Sequence, residues 1–321
     1  MTGCSKSGNV VVIYTSVDQI YSEKIFRAYE RETGVKVKAV YDTEATKTVG
    51  LVNRLIAEKN KPQADVFWNG EIIQTIVLKK EGVLESVSPA NANALPPGFK
   101  DEDGMWFGFG GRARVIIYNR QLISKEDCPK TIEDFAKSPY IKNSAIAYPI
   151  FGTTATHAAV HYAYWGEETA SKFYGDMSNS GIMVLDGNSV VKDYVSSKKA
   201  FLGLTDTDDA LLEMDKNKDL DIIFPDQGEN GMGTLVIPNT VAKIKNGPNP
   251  EQALKFIEFI ISVRAEQMLT DDNWIQIPVH PEVEGLDIIE LADIKIMQAD
   301  FNLAYEFLEK SKTDLTGFFI R

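Results

Sequence analysis

The chain has 321 residues, of which 44% are hydrophobic, and it carries a formal net charge of -12 at pH 7. This length and hydrophobic content are enough to build two domains, each with its own core. The acidic charge argues against nucleic acid as a partner, because phosphate binding needs concentrated Lys and Arg. The sequence contains no apolar run of about 18 residues, so none of its segments is predicted to span a membrane.

The first eight residues indicate a compartment. Thr2-Gly3-Cys4 resembles the end of a bacterial lipoprotein signal, in which small residues precede a cysteine that becomes lipidated. On this interpretation Cys4 is the lipidation site and residues 1–8 are a flexible tether. The alternative is an ordinary cytosolic start. Cys128 is the second of two cysteines, which excludes a disulfide framework but allows one bridge.

The first third of the chain alternates apolar strands with amphipathic helices. This order predicts parallel strand pairing with right-handed crossovers. In such sheets the ligand crevice lies at the carboxyl ends of the strands, so polar residues at those ends are candidate ligand contacts. The strands are predicted over residues 9–14, 35–39 and 64–68, and the polar residues at or just beyond the ends of the first and third are Thr15, Ser16, Asp18, Asn69 and Glu71.

A glycine-rich segment, residues 108–111, leads into the apolar strand 112–118. Glycines at the entry to a strand suit a hinge, and Pro238-Asn239 is the candidate for the return crossing. The same glycines match a loose dinucleotide-binding pattern. That pattern should follow a strand and open a helix, whereas this segment precedes a strand, so we discard dinucleotide binding.

A second α/β series follows, and one of its helices begins with Gly152 and several threonines. Free backbone N–H groups, hydroxyl donors and the positive end of the helix dipole form an anion cradle in this setting. The alternative is a threonine-capped helix with nothing bound. The candidate anion contacts of this series are Gly152, Thr153, Thr154 and Thr156, with Asn188 and Ser189 at the end of a later strand.

The stretch 200–210 is the strongest candidate for the ligand site. An apolar strand, residues 200–204, ends in Thr205, Asp206, Thr207, Asp208 and Asp209, and a helical pattern follows. This strand-turn-helix step would present carboxylates at the sheet edge. The alternative is a solvated helix N-terminus, where Asp and Thr are common caps.

The sequence lacks the motifs of the common enzyme classes. It has no GxSxG elbow, no P-loop and no CxxC. His157 and His161 have the spacing of a zinc pair, but Ala158 stands where HExxH has its glutamate, so a helix-surface or packing role is preferred for His161. An enzyme with a carboxylate-bound metal stays an alternative, although no nucleophile or base is evident.

Five stretches resemble the ferric-ion-binding branch of the substrate-binding proteins of bacterial ABC importers. This resemblance implies an α/β fold of the periplasmic-binding-protein type II class, with two lobes, two hinge crossings and a ligand cleft between the lobes. It implies lobe 1 over residues 9–111 plus 239–285, and lobe 2 over 112–238 plus 286–321. The stretches are residues 10–16, 64–68, 111–118, 188–190 and 250–256.

The chain departs from that branch at the metal ligands. The branch holds iron with two consecutive tyrosines, where this chain has Thr207-Asp208. The family's early histidine falls near Asp18 and its glutamate near Glu71, so the metal ligands carried over are Asp18, Glu71 and Asp208. Arg112 and Arg114 match the family's arginines, which implies that a contact to an anion such as carbonate is retained. Carboxylates can replace phenolates around ferric iron, because this ion prefers oxygen ligands.

The resemblance implies a monomeric, non-enzymatic binding protein without a cofactor. It would lie outside the cytoplasm, held at the membrane by its lipid anchor alone, and deliver a small charged ligand to ABC permease subunits. The ligand is expected to be ferric iron with a synergistic anion, or alternatively a phosphate-bearing or zwitterionic solute such as an aminoalkyl phosphonate. The expected ligand contacts are Thr15, Ser16, Asp18, Asn69, Glu71, Arg112, Gly152, Thr153, Thr154, Thr156, Asn188, Ser189, Thr205, Asp206, Thr207 and Asp208.

Overall fold

The computed structural model describes residues 9–42, 49–272, 274, 276–285 and 289–319. Cys4 and the predicted tether lie outside these residues. The strands are β1 (Val10–Thr15), β2 (Lys36–Tyr41), β3 (Val66–Asn69), β4 (Phe107–Asn119), β5 (Ser144–Ala147), β6 (Met183–Leu185), β7 (Leu202–Asp206), β8 (Leu220–Ile223) and β9 (Val236–Lys243). The helices are α1 (Gln19–Thr33), α2 (Val49–Ala57), α3 (Ile73–Lys80), α4 (Ile132–Lys137), α5 (Gly152–Trp165), α6 (Glu167–Asn179), α7 (Asn188–Ser196), α8 (Thr207–Lys216), α9 (Pro250–Ile260), α10 (Val263–Asp271) and α11 (Phe301–Phe318).

The chain forms two compact units. Strand β4 leaves the first unit at the 111/112 bond, and β9 returns to it at 237/238. The sequence places these boundaries at 111/112 and 238/239. The first unit comprises the described residues of Met1–Gly111, Pro238–Trp274 and Pro278–Ile289, and the second those of Arg112–Ile237, Ile275–Ile277 and Glu290–Arg321.

The first unit is built on a parallel sheet extended by one antiparallel strand. Strand β1 pairs in parallel with β2 and β3, as the alternating order predicts, and β3 pairs antiparallel with β9. Helix α1 buries Phe26 and Tyr29, which contact Trp68 of β3 and Phe256 of α9. Gly34 ends α1 in the left-handed conformation with φ 68°, where a glycine is favoured.

The second unit has a mixed sheet in the order β4-β7-β5-β6, with β8 also pairing with β4. Strand β4 is antiparallel to both β7 and β8, whereas β5 is parallel to β6 and β7. Helix α5 is buried along residues 153–162 and packs against α11. No helix in the described part of the chain combines the length and apolarity needed to cross a bilayer. The predicted α/β class is confirmed.

Both predicted crossings between the units are extended strand. Gly108 to Gly111 lie inside β4, and Pro238-Asn239 lie inside β9. At Gly108 a Cβ would come within 3.1 Å of the Phe99 carbonyl oxygen and of Pro238. Glycine at this position therefore lets the backbone near Phe99 and Pro238 approach β4 closely, which is a recognised role of glycine within strands.

Candidate functional site

The first unit gathers polar residues from the ends of β1 and β3. The Ser16 hydroxyl donates to Asn69 Oδ1 at 2.7 Å and accepts from the Gly70 N–H at 3.0 Å. Asn69 Nδ2 donates to Thr75 Oγ1 at 3.2 Å. Thr15 Oγ1 accepts from the Val17 N–H at 3.0 Å, which shapes the turn after β1. All these side chains are buried. The predicted contacts Ser16 and Asn69 are hydrogen-bonded to each other, whereas the Thr15 side chain bonds the backbone of the turn.

The two predicted metal ligands of the first unit lie in different environments. Glu71 is buried, and its two carboxylate oxygens accept from the N–H groups of Ile73 and Gln74 at 2.8 and 2.9 Å. It therefore caps the start of α3, where the helix dipole favours a negative charge. Asp18 is exposed at the start of α1, and its backbone carbonyl accepts from Tyr21 and Ser22.

In the second unit a fully buried arginine organises the predicted contacts. Arg114 Nη1 lies 2.5 Å from Asp206 Oδ1, and the two side chains are 0% and 2% exposed. The guanidinium also donates to Thr153 Oγ1 and Thr154 Oγ1, both at 3.3 Å, and to Asn188 Oδ1 at 3.1 Å. We call these five residues the Arg114 cluster. A buried ion pair is tolerated only when such further hydrogen bonds satisfy its remaining donors and acceptors.

The Arg114 cluster joins four elements of the second unit, because Arg114 itself lies on β4. Asp206 Oδ2 accepts from Thr153 Oγ1 at 2.6 Å and from Asn188 Nδ2 at 2.9 Å, which links β7 to the starts of α5 and α7. Thr205 Oγ1 donates to the Asn188 carbonyl at 3.1 Å. The structure thus brings together four predicted ligand contacts, and their side chains hold one another.

The start of α5 has the features of an anion site. Gly152 has φ 54°, a left-handed conformation that favours glycine. Among the described residues, no side chain caps this helix at Phe151. Thr156 Oγ1 lies 3.4 Å from the Gly152 carbonyl, so its hydroxyl serves the helix itself. The backbone N–H groups of the first turn are the part of this predicted cradle that suits an anion. Ser189, on the first turn of α7, is exposed.

Beyond β7, three carboxylates form what we call the Asp208 cluster. Asp206, Asp208 and Asp209 each offer an oxygen within 4.8 Å of the others, the one group of three or more potential metal ligands found in the described residues. Asp208 Oδ2 accepts from Gln276 Nε2 at 3.1 Å and lies 3.6 Å from Arg112 Nη1. A cation could bind here, because carboxylate oxygens are preferred ligands of hard metal ions.

The Asp208 cluster carries unfavourable negative charge. Burial, and next the carboxylates of Asp208 and Asp206, raise the pKa of Asp209 to about 7. Burial also raises the pKa of Asp208, and the Arg112 guanidinium partly offsets this effect. Raised pKa values mean that the ionised forms are destabilised here. A bound cation would relieve this destabilisation.

Thr207 and the histidines of α5 have local structural partners. Thr207 Oγ1 accepts from the Ala113 N–H at 3.1 Å, which fixes the start of α8 against β4. His157 and His161 are buried, and His161 Nδ1 lies 2.8 Å from the Tyr174 hydroxyl. Burial lowers the pKa of His161 to about 3, so the ring is neutral. The preferred packing role for His161 agrees with this arrangement.

Three residues of this region, Arg114, Asp209 and Gln276, were not among the predicted ligand contacts. Arg114 was matched to a family arginine but not placed among the ligand contacts. It lies two residues after Arg112 on a predicted strand, and such residues share a face, so this spacing could have indicated that both arginines lie at the site. Asp209 adjoins the predicted acidic turn. Gln276 lies 68 residues from Asp208, and nothing in the sequence indicates their hydrogen bond.

The comparisons with known proteins agree on a single protein class. A sequence model of the family described as bacterial extracellular solute-binding protein matches residues 14–267. Iron uptake protein A1 of Synechocystis is 28% identical over 276 residues, which are 82% of this chain and 74% of that protein. A putative 2-aminoethylphosphonate-binding periplasmic protein of Salmonella typhimurium is 22% identical over 87% of this chain and 81% of its own length.

The fold is also that of a solved iron complex. The structure described as Trichodesmium IdiA (FutA) in complex with iron and citrate has a TM-score of 0.84 at 20% identity, covering 96% of this chain and 99% of that one. At this identity the likeness shows the fold. It confirms the predicted two-lobed periplasmic-binding fold.

Proposed function

The chain belongs to the family of bacterial extracellular solute-binding proteins, and we propose from this membership that it captures a small charged ligand and delivers it to an ABC importer permease. Proteins of this class bind solutes for transport, so the chain is a transport protein and not an enzyme. The metal-dependent enzyme that the carboxylates alone allowed is therefore set aside.

We infer that the ligand is ferric iron held together with a small anion. The Asp208 cluster carries this inference, because its destabilised carboxylates gain most from a trivalent cation. Ferric iron is a hard ion that prefers oxygen ligands. Two compared proteins, the Synechocystis iron uptake protein and the Trichodesmium iron complex, support the same ligand by their names.

The second unit supplies the central metal ligands of this proposal. Asp208 and Asp209 would contribute carboxylate oxygens there, and the matches of Asp18 and Glu71 to family ligands stay predictions. The backbone N–H groups at the start of α5, with Arg112 beside Asp208, would hold the synergistic anion. Apart from Asp206, which belongs to both clusters, the residues of the Arg114 cluster would keep these elements in position without touching the metal, since their polar groups are already paired.

A second candidate ligand is a zwitterion such as 2-aminoethylphosphonate. The presence of Thr207-Asp208, where the ferric branch has two tyrosines, favours this candidate. Its ammonium group would pair with Asp208, and its phosphonate would meet the start of α5. The Salmonella relative's name supports the same chemistry.

Native mass spectrometry and metal analysis of protein purified without added ligand distinguish between the two proposed ligands. The iron proposal expects about one iron atom per chain and a mass increment that includes a small anion. A stoichiometric organic increment without iron would establish the zwitterion instead. Titration with ferric citrate, inorganic phosphate and 2-aminoethylphosphonate then gives the affinities of the stripped protein.

We also propose that Cys4 is lipidated and anchors the protein on the outer side of the cytoplasmic membrane. The sequence Thr2-Gly3-Cys4 supports this location. One acyl-bearing cysteine would hold the protein in the membrane fraction of cells that express it with its secretion signal. Cys4→Ser should move it to the soluble fraction, and an unchanged distribution would argue against the anchor.

A further inference from the structure

One buried carboxylate in the first unit lies apart from every predicted ligand contact. Glu266 of α10 is 2% exposed. Its Oε1 accepts from the Gly110 N–H at 2.6 Å and from the Val279 N–H at 3.0 Å. Its Oε2 accepts from the His280 N–H at 3.0 Å and lies 2.7 Å from His280 Nδ1. Since a carboxylate can only accept hydrogen bonds, Nδ1 carries the proton in this contact.

The donors to Glu266 lie next to the places where the chain passes between units. Gly110 precedes the 111/112 crossing by one residue, and Val279 and His280 follow the crossing after Ile277. Asn239, which follows the 237/238 crossing, donates from Nδ2 to the Gly110 carbonyl at 3.3 Å. One carboxylate and one amide thus tie three crossings to the same point of the first unit.

The surrounding packing holds the same point firmly. Phe109 is fully buried, and its ring lies 5.5 Å from Trp68 and 6.1 Å from Trp274. Gly110 itself has φ 55°, a left-handed conformation in which a side chain would be strained. Residues 109 and 110 are therefore fixed on both faces of the strand, and the first backbone free to bend lies after them.

We propose that Glu266 is the positioning residue of the hinge. It fixes the direction in which the three crossings leave the first unit. Bending is therefore confined to the backbone that lies between Gly110, Asn239 or Val279 and the second unit. Glu266→Gln would leave four donors facing one neutral acceptor oxygen and an NH2 group that is itself a donor. The crossings would then leave the first unit over a wider range of directions, and the ligand-free protein would sample a wider range of inter-unit distances. This proposal does not depend on which ligand is bound.

The first unit contains a matched control for this substitution. Asp65 is also a fully buried carboxylate, and it accepts from the Val12 N–H at 2.7 Å, from the Asn249 N–H at 2.5 Å and from Asn249 Nδ2 at 3.0 Å. Its partners belong to segments that stay within the first unit. Asp65→Asn should therefore reduce stability by a similar amount without releasing a crossing.

The test is a distance measurement between two spin labels on the ligand-free protein. Lys61→Cys and Thr169→Cys place one exposed label on each unit, in a Cys4→Ser background. Cys128 is buried, and burial raises the pKa of its thiol to about 11, so it reacts slowly with the label. Glu266→Gln should broaden the distance distribution about twofold, whereas Asp65→Asn should leave its width unchanged.

His280→Leu provides a milder variant in case Glu266→Gln does not fold. It removes the side-chain contact to Glu266 and keeps the backbone N–H, so a smaller broadening is expected. The proposal is overturned if neither hinge variant changes the width, or if Asp65→Asn broadens it equally. Because no ligand is added, this result is separate from the iron proposal, which can fail while the hinge result stands.

Discussion

The Arg114–Asp206 ion pair provides the sharpest test of how the second unit is held together. Asp206→Asn keeps the shape of the side chain and removes its charge, which leaves Arg114 charged and 0% exposed. Breaking a buried pair from one side costs about 3–5 kcal/mol, because the remaining charge is desolvated without compensation. Thr153 and Asn188 also lose the charged acceptor that they share.

The assay is thermal and urea unfolding of the ligand-free protein. Unfolding is followed by far-UV circular dichroism, because three of the four tryptophans belong to the first unit and their fluorescence would mask that of Trp165. The expected loss corresponds to a fall in Tm of roughly 6–20 °C for a domain of this size. The double variant Arg114→Met with Asp206→Leu removes both charges and should recover much of the loss. A cost below about 1 kcal/mol for Asp206→Asn, the value of an exposed pair, would refute the account of this cluster.

Three further predictions follow from the same geometry. Asp208→Asn should weaken ferric citrate binding roughly ten- to a hundredfold. The control is Asp215→Asn, because the Asp215 side chain is 88% exposed, and this variant should leave the titration heats unchanged. Because the pKa of Asp209 is raised to about 7, protons compete with a cation for this carboxylate below that pH. The affinity for ferric iron, measured in citrate of fixed speciation, should therefore fall about tenfold from pH 8 to pH 6. A flat pH profile would mean that Asp209 is not a ligand. Gly203→Ala would place a Cβ 2.4 Å from Val191 Cγ1. The free energy of unfolding in urea should fall by about 1–3 kcal/mol. An unchanged unfolding midpoint would contradict this prediction.

The local elements were readable from the sequence because their signals are local. The apolar run before Thr15 gave β1, and Gly34 marked the end of α1. The glycine and threonines at 152–156 marked the start of α5 at the observed residue. Each of these signals lies within a few residues of the feature that it predicts.

The pairings between distant residues were not readable in the same way. Arg114 lies directly opposite Asp206 in the antiparallel pair of β4 and β7, a register that depends on the whole sheet. Glu266 binds Gly110 across 156 residues of sequence. The glycines at 108–111 and Pro238 predicted the two crossings but not the length of the strands that contain them, because close approach between segments uses the same residues as turns do.

The most direct test of the proposed function is calorimetric titration of the metal-free protein with ferric citrate, beside 2-aminoethylphosphonate and inorganic phosphate. The account expects ferric iron to bind with a stoichiometry of about one and with an affinity that Asp208→Asn reduces at least tenfold. Stoichiometric binding of 2-aminoethylphosphonate, with no heat from ferric citrate, would contradict the assignment of iron as the ligand.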